Sequence, residues 1–302
     1  RGREDIPEVL ALVERMLPLD GFEWAVTEQD IIEDFECFPE SDIHRDLIMA
    51  EKDGAIVGYC QVWWANDPDG TLLYPFSITV DPQFRGTGLG DAMLEWCEAR
   101  IRENSRAHDP GVKKLFNISL MDKMEYFSNL LLKHDYWIYR HGLSLVRPDL
   151  ENIPEFRLPG GLDIREALPE HHEKIRRAWN EACKDMRGQI PIREVSWALW
   201  SERESFDPKL WSIAWQGDEV VGTVFGMIDP DSNELNNRKR GMVELISTRK
   251  DWRGKGVAKA LMARTMRLLS ERGMTEAALG VDEENPSGAR LLYEKMGFSI
   301  TA

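Results

Sequence analysis

The chain has 302 residues, 42% apolar and 30% charged, with a formal net charge of -15 at pH 7. That length exceeds one ordinary domain, and the composition is globular rather than disordered or fibrous. The acidic balance argues against a nucleic-acid partner and favours cationic or neutral substrates, while no apolar run nears the roughly 20 residues that span a bilayer.

No signal peptide is visible, and Cys37, Cys60, Cys97 and Cys183 are too scattered for a C-x-x-C or zinc pattern. Reduced thiols, no metal, no membrane partner and a cytoplasmic location are therefore expected. Arg1 is not a translation start, so further sequence is expected before it.

Taken in order, residues 5–17 predict an amphipathic helix and 30–38 a shorter one. Residues 47–51 and 56–64, split by Asp53-Gly54, predict a hairpin. Residues 72–80 read as a strand, 89–104 as a helix, 114–120 as a strand, 123–133 as a helix and 137–146 as a closing strand. A first strand is expected before residue 5. Residues 148–161, with prolines at 148, 154 and 159 and then Gly160-Gly161, form a linker.

Beyond it, 162–166 predict a strand, 169–182 and 197–205 helices, and 211–215 with 219–228 a hairpin around Gly217-Asp218. Residues 242–248 form an apolar strand. Lys250-Asp251 turn the chain, and Arg253-Gly254-Lys255-Gly256 open a helix marked by Val257, Leu261, Met266, Leu268 and Leu269. A strand that passes through glycines into a helix N-terminus offers free backbone N–H groups at the positive end of a dipole, which is an anion cradle. Residues 276–281 then predict a strand, 286–296 a helix, and 298 onward another strand.

The same strand, turn and glycine loop occurs earlier, with Arg85 matching Arg253 at an offset of 168 residues. The chain thus holds two copies of one unit: residues 1–147, a linker at 148–161, and residues 162–302. Neither loop closes with lysine followed by serine or threonine, as a P-loop does. Gly86-Thr87-Gly88-Leu89-Gly90 lacks the dinucleotide spacing.

Arg253-x-x-Gly256-x-Ala258 followed by Asn285 and then Leu292-Tyr293-x-x-x-Gly297-Phe298 resembles the GCN5-related N-acetyltransferase (GNAT) superfamily, in its tandem two-domain form. The resemblance implies two α/β domains, each a mixed, mostly antiparallel central sheet with helices on both faces. It also implies acetyl-CoA as cofactor and transfer of acetyl to a small-molecule primary amine by direct attack, in a monomer or homodimer.

Carried over residue by residue, it implies that Arg253, Gly254, Lys255, Gly256, Val257, Ala258 and Lys259 cradle the diphosphate, with the Arg253 and Lys255 side chains adding charge. Ile246, Ser247 and Thr248 would pair with the pantetheine amides. Asn285 would contact that arm or simply cap the helix. Tyr293 stands at the family's general-acid position, and a phenol with a pKa of about 10 suits a thiolate leaving group.

Glu244 is the candidate base, a lone carboxylate in an apolar strand, acting through a bridging water. A salt bridge to a neighbouring arginine is its structural alternative. Many relatives carry the carboxylate two residues earlier, where this chain has Met242.

In the first copy the corresponding cofactor residues are Ile78, Thr79, Val80, Arg85, Gly86, Thr87, Gly88, Leu89 and Gly90. Phe76 stands where Glu244 does and Leu131 where Tyr293 does, so this copy is expected to be catalytically degenerate. Its loop fits either a retained acetyl-CoA site or a bare turn. Two further functions fit the pattern: an acetyl-CoA sensor without turnover, and a protein N-acetyltransferase with a groove near residues 197–205.

Overall fold

The computed structural model describes residues 3–36, 41–67, 69–184, 186, 191–203, 205–283 and 288–301. Two compact units meet in sequence at Trp137 and Ile138.

The first unit runs α1 (Ile6–Asp20), α2 (Glu28–Glu36), α3 (Ile43–Asp46), β1 (Leu47–Lys52), β2 (Ala55–Val62), β3 (Ala65–Asn66), β4 (Leu72–Val80), α4 (Leu89–Ser105), β5 (Lys114–Asn117) and α5 (Glu125–Lys133). Its sheet has the order β1-β2-β4-β3, with β5 pairing parallel to β4 and all other pairs antiparallel. Asp53 and Gly54 carry φ of 52° and 84° at the β1–β2 turn, the doubly positive geometry that lets a two-residue turn follow the strand twist.

The second unit runs β6 (Gly142–Arg147), β7 (Asp163–Arg165), α6 (His172–Ala182), α7 (Glu194–Ser201), β8 (Ser212–Gln216), β9 (Glu219–Ile228), α8 (Pro230–Leu235), β10 (Arg240–Thr248), α9 (Val257–Glu271), β11 (Glu276–Asp282), α10 (Ala289–Lys295) and β12 (Ser299–Ile300). The sheet order is β12-β6-β11-β10-β9-β8-β7, antiparallel apart from β10 with β11. Both units are thus the mixed α/β sheets that the sequence predicts.

Strand β6 is the departure. The sequence reading places residues 137–146 as the closing strand of the first copy and ends that domain at 147. The structure sets β6 in the second sheet, between β11 and β12, with Leu145 opposite both Leu279 and Ile300. The β6 side chain Arg147 is buried, with Nε on the Asp149 carbonyl, Nη2 on the Asn152 carbonyl and Nη1 on the Met296 carbonyl. A Cβ on Gly297 (φ +87°) would lie 2.7 Å from Arg147 Nη1, so the glycine ending α10 is needed for backbone conformation and for space.

Helices cover both faces of this sheet. On one, α9 buries Val257, Ala260, Leu261, Met266 and Leu269 against β9 and β10. A Cβ at Gly222 would lie 2.8 Å from Val257 Cγ1, and one at Gly226 3.0 Å from Thr265 Cγ2. The glycines of β9 therefore let α9 approach closely. On the other face, Trp211 and Trp200 stack on Phe225 at 4.0 and 5.8 Å, with Trp197 edge-on to both tryptophans. Each such ring buries enough apolar area to contribute on the order of 2–3 kcal/mol. These tryptophans are core rather than an open groove.

Candidate active site

Strand β10 builds the site by leaving its neighbours. It pairs with β11 only over Arg240, Gly241 and Met242, so among the described residues no strand lies beside that edge of β10 from Val243 onward. On its other side the register with β9 slips between Glu244 and Ser247, and Leu245 takes φ +45°, a value a leucine rarely adopts. Thr223 holds this bulge: its hydroxyl donates to the Leu245 carbonyl at 2.8 Å and lies 2.8 Å from Ser247 Oγ. Such a backbone costs about 1–3 kcal/mol and persists only where neighbours fix it.

A cleft of about 680 Å³ opens at this splay. Glu244, Leu245, Ile246, Ser247 and Thr248 line it from β10, Arg253, Gly254, Gly256, Val257, Ala258 and Lys259 from the loop and α9, and Tyr293 from α10. Of the cofactor-contacting residues expected in the second copy, Lys255 is absent from the wall, and Asn285 lies outside the described residues. Cys37 also lies outside them. Sequence reasoning missed Cys183, Asp282 and Arg140 in the wall, and Thr223 behind it.

The loop suits a diphosphate. Gly254 and Gly256 have φ of +75° and +88°, and a Cβ at either would meet nothing within 4 Å, so open space stands above the nest. The first helical turn bond runs from Ala260 N–H to the Gly256 carbonyl, leaving the N–H groups of Val257, Ala258 and Lys259 at the dipole's positive end. Lys255 Nζ lies over the Trp252 ring at 4.8 Å, and Lys259 Nζ over the Phe156 ring at 5.7 Å.

Arg253 lines the cleft and is also anchored to two backbone carbonyls. Its Nε donates to the Thr248 carbonyl at 3.1 Å and its Nη2 to the Ala182 carbonyl at 2.8 Å. The side chain clasps the end of α6 to the end of β10.

Glu244 pairs opposite Phe225 in the β9 ladder. Burial pushes its carboxyl up from 4.5 to about 7. Among the described residues no hydrogen bond or ion pair satisfies it, so the alternative of a salt bridge with arginine is not what the structure holds. Tyr293 is 6% exposed, and burial, followed by the nearby Glu244 charge, pushes its phenol up to about 12. The arrangement pairs a carboxyl that changes charge near neutrality with a phenol that keeps its proton there.

The first unit answers the same positions with apolar groups, since Phe76 and Leu131 are both buried. Its loop has the same open glycines, since a Cβ at Gly86 or Gly88 would also meet nothing within 4 Å, and it differs beside the first turn of the helix. A Cβ at Gly90 would fall 2.3 Å from the Tyr126 hydroxyl, which also bonds to the Gly86 backbone. Arg85 forms a two-pronged pair with Asp20, at 2.8 and 2.6 Å.

Comparison with known proteins agrees with this geometry. A model of the Acetyltransferase (GNAT) family matches residues 172–298, and one of the Acetyltransferase (GNAT) domain matches residues 44–124. A mycothiol acetyltransferase of Geodermatophilus obscurus is 27% identical over 84% of this chain and 79% of its own length. One of Streptomyces coelicolor is 25% identical over 98% and 88%.

Among solved structures, a GCN5-related N-acetyltransferase from Sphaerobacter thermophilus shares the fold at a TM-score of 0.67 and 24% identity, over 100% of this chain and 91% of that one. A tandem GNAT protein from the clavulanic acid biosynthesis pathway does so at 0.62 and 14%, over 98% and 92%. Two family models on one chain, each spanning a central strand, its glycine loop and the helix that follows, establish that this chain belongs to the GCN5-related N-acetyltransferase family as a tandem of two such domains.

Proposed function

We propose that the chain is an acetyl-CoA-dependent N-acetyltransferase that acetylates a primary amine of a small molecule, with the reaction confined to the second copy. The names of its curated relatives make a mycothiol-type amine the first acceptor to try. The observation that carries the reading is the unpaired Glu244 carboxyl, raised to about 7, beside the buried Tyr293 phenol in a cleft floored by an open glycine nest.

When bound, acetyl-CoA supplies the activated thioester. The backbone N–H groups of residues 257–259 and the ammonium group of Lys259 fit its diphosphate, and the free edge of β10 fits the amides of its pantetheine arm. The Glu244 carboxylate takes a proton from the acceptor ammonium through one water, which lets the amine attack directly. Tyr293 gives its phenolic proton to the departing sulfur. The low polarity that raises both pKa values also strengthens the charges that develop during transfer.

The test is calorimetry combined with mass spectrometry of an amine panel. One acetyl-CoA per chain and a mass gain of one acetyl group on a small amine are expected. Binding without transfer to any amine would instead leave a sensor, and two bound molecules per chain would break the confinement to the second copy.

A further inference from the structure

Arg140 precedes strand β6 and Arg147 ends it, and their surroundings differ. Arg147 has all three guanidinium nitrogens on carbonyl oxygens, as a structural arginine should. Arg140, which precedes the strand, lines the active-site cleft with Glu244, Asp282 and Tyr293. Its side chain is only 19% exposed, yet its ionic contact is a loose one, Nη1 to Asp282 Oδ2 at 3.5 Å. Nη2 is buried with no hydrogen-bond partner among the described residues. The guanidinium also lies over the Tyr139 ring at 5.6 Å, a cation–π contact that satisfies none of its N–H groups.

A guanidinium carries five donors and keeps its charge at every physiological pH. Leaving one of its donors buried without an acceptor is costly, and proteins keep such a group where something completes it. In this cleft the missing acceptor is an oxygen of a bound molecule, and planar donors favour an anionic, two-oxygen group.

We propose that Arg140 is an anion-recognition residue of the second-copy cleft, receiving either a phosphate oxygen of the acyl donor or a carboxylate of the acceptor. Asp282 holds it in readiness and yields it when the anion arrives. The inference rests on the acetyl-CoA reading above and adds to it a cation that no glycine-loop motif contains. Because Arg140 enters with β6, the strand that completes the second sheet also brings a functional side chain to its cleft.

The experiment is calorimetric titration of the whole chain with coenzyme A and with 3′-dephospho-coenzyme A, alongside steady-state KM for amines with and without a carboxylate. Arg140→Gln is expected to lose about tenfold or more in one arm, the loss expected for a charge-assisted hydrogen bond. A loss for coenzyme A that shrinks with the dephospho form assigns the donor phosphate. A rise in KM limited to carboxylate-bearing amines assigns the acceptor.

Asp282→Asn, which releases the same arginine, should raise the affinity. A merely structural pair would make both variants weaker alike, and that result overturns the proposal. Arg140→Lys keeps charge and stem and should lose less than the glutamine variant, providing the reading if Arg140→Gln does not fold. If the wild-type chain binds coenzyme A and both Arg140 variants match it within twofold in every arm, the proposal fails alone. If the wild-type chain binds no coenzyme A, the acetyl-CoA reading fails first.

Discussion

The two glycine loops use their arginines in the same way and differ in what surrounds them. Arg85 reaches Asp20, the last residue of α1, and Arg253 reaches the carbonyl of Ala182, the last residue of α6. In both copies the motif arginine clasps a helix end to the strand before the loop. Asp20 cancels the Arg85 charge, whereas neutral carbonyls leave that of Arg253 in place at the wall of its cleft.

Lys255 and Lys259 of the second loop correspond to Thr87 and Asp91 of the first. Asp20 neutralises Arg85, Asp91 is held by Lys133 and His134, and the Tyr126 hydroxyl lies against Gly90. The same glycine pattern thus stands in two different charge settings, because glycines answer to backbone angles and lysines to ligand charge.

The strongest way to break this comparison is to fill each nest in turn. Gly256→Val forces a branched side chain into φ +88° and into the open space above the loop, and should abolish acetyl-CoA binding by calorimetry. The same change at Gly88, with φ +94°, should cost about 1–2 kcal/mol of stability and leave binding at one per chain. Loss of binding from the Gly88 change would reassign the site.

Next in size, Tyr293→Phe should lower kcat by about a hundredfold or more while acetyl-CoA affinity stays within twofold. Tyr126→Phe in the first copy should leave kcat unchanged. Equal rates for wild type and Tyr293→Phe in single-turnover quench would remove the acid.

Glu244 makes a prediction in two readouts. As the base it must be ionised, so kcat/KM should rise about tenfold per pH unit below the bend near pH 7, and Glu244→Gln should lower the plateau by about a hundredfold. Stability should move the other way. With its pKa raised from 4.5 to about 7, the folded chain holds a proton that the unfolded chain has released between those values. Stability therefore falls as pH rises through that window and the cost is complete above it. Glu244→Gln should raise Tm at pH 8 and leave it unchanged at pH 4.

The smallest effect sharpens the charge argument. Lys259→Asp, which copies the first loop into the second, should weaken acetyl-CoA binding about tenfold, with the deficit shrinking as salt increases. Asp91→Lys should leave one molecule bound per chain, because Asp20 still neutralises Arg85 and the Tyr126 hydroxyl still lies against Gly90.

Much of this was legible from local signals. The strand Leu72–Val80 appears with the bounds its apolar run predicts, and the Asp53-Gly54 and Gly217-Asp218 hairpins follow from turn chemistry. The helix Pro230–Leu235 was missed, although Asp229, which caps it by accepting from the Ser232 N–H, and Pro230 at its first turn announce it. The cleft residues of β10 could be named because a strand, a glycine loop and a helix are contiguous in sequence.

By itself, then, the sequence determined the repeat, the two α/β sheets, the glycine nests, and the loss of a carboxylate and a phenol from the first copy. Each depends on residues close together in the chain or on matching positions at a fixed offset. Tertiary structure alone decided the sheet that β6 joins, since the pattern of Gly142–Arg147 suits either edge and only pairing with Leu279 and Ile300 selects one. It alone turned Arg253 inward and carried Arg140 to the cleft, because the destination of a long side chain depends on which distant backbone or carboxylate lies within its reach.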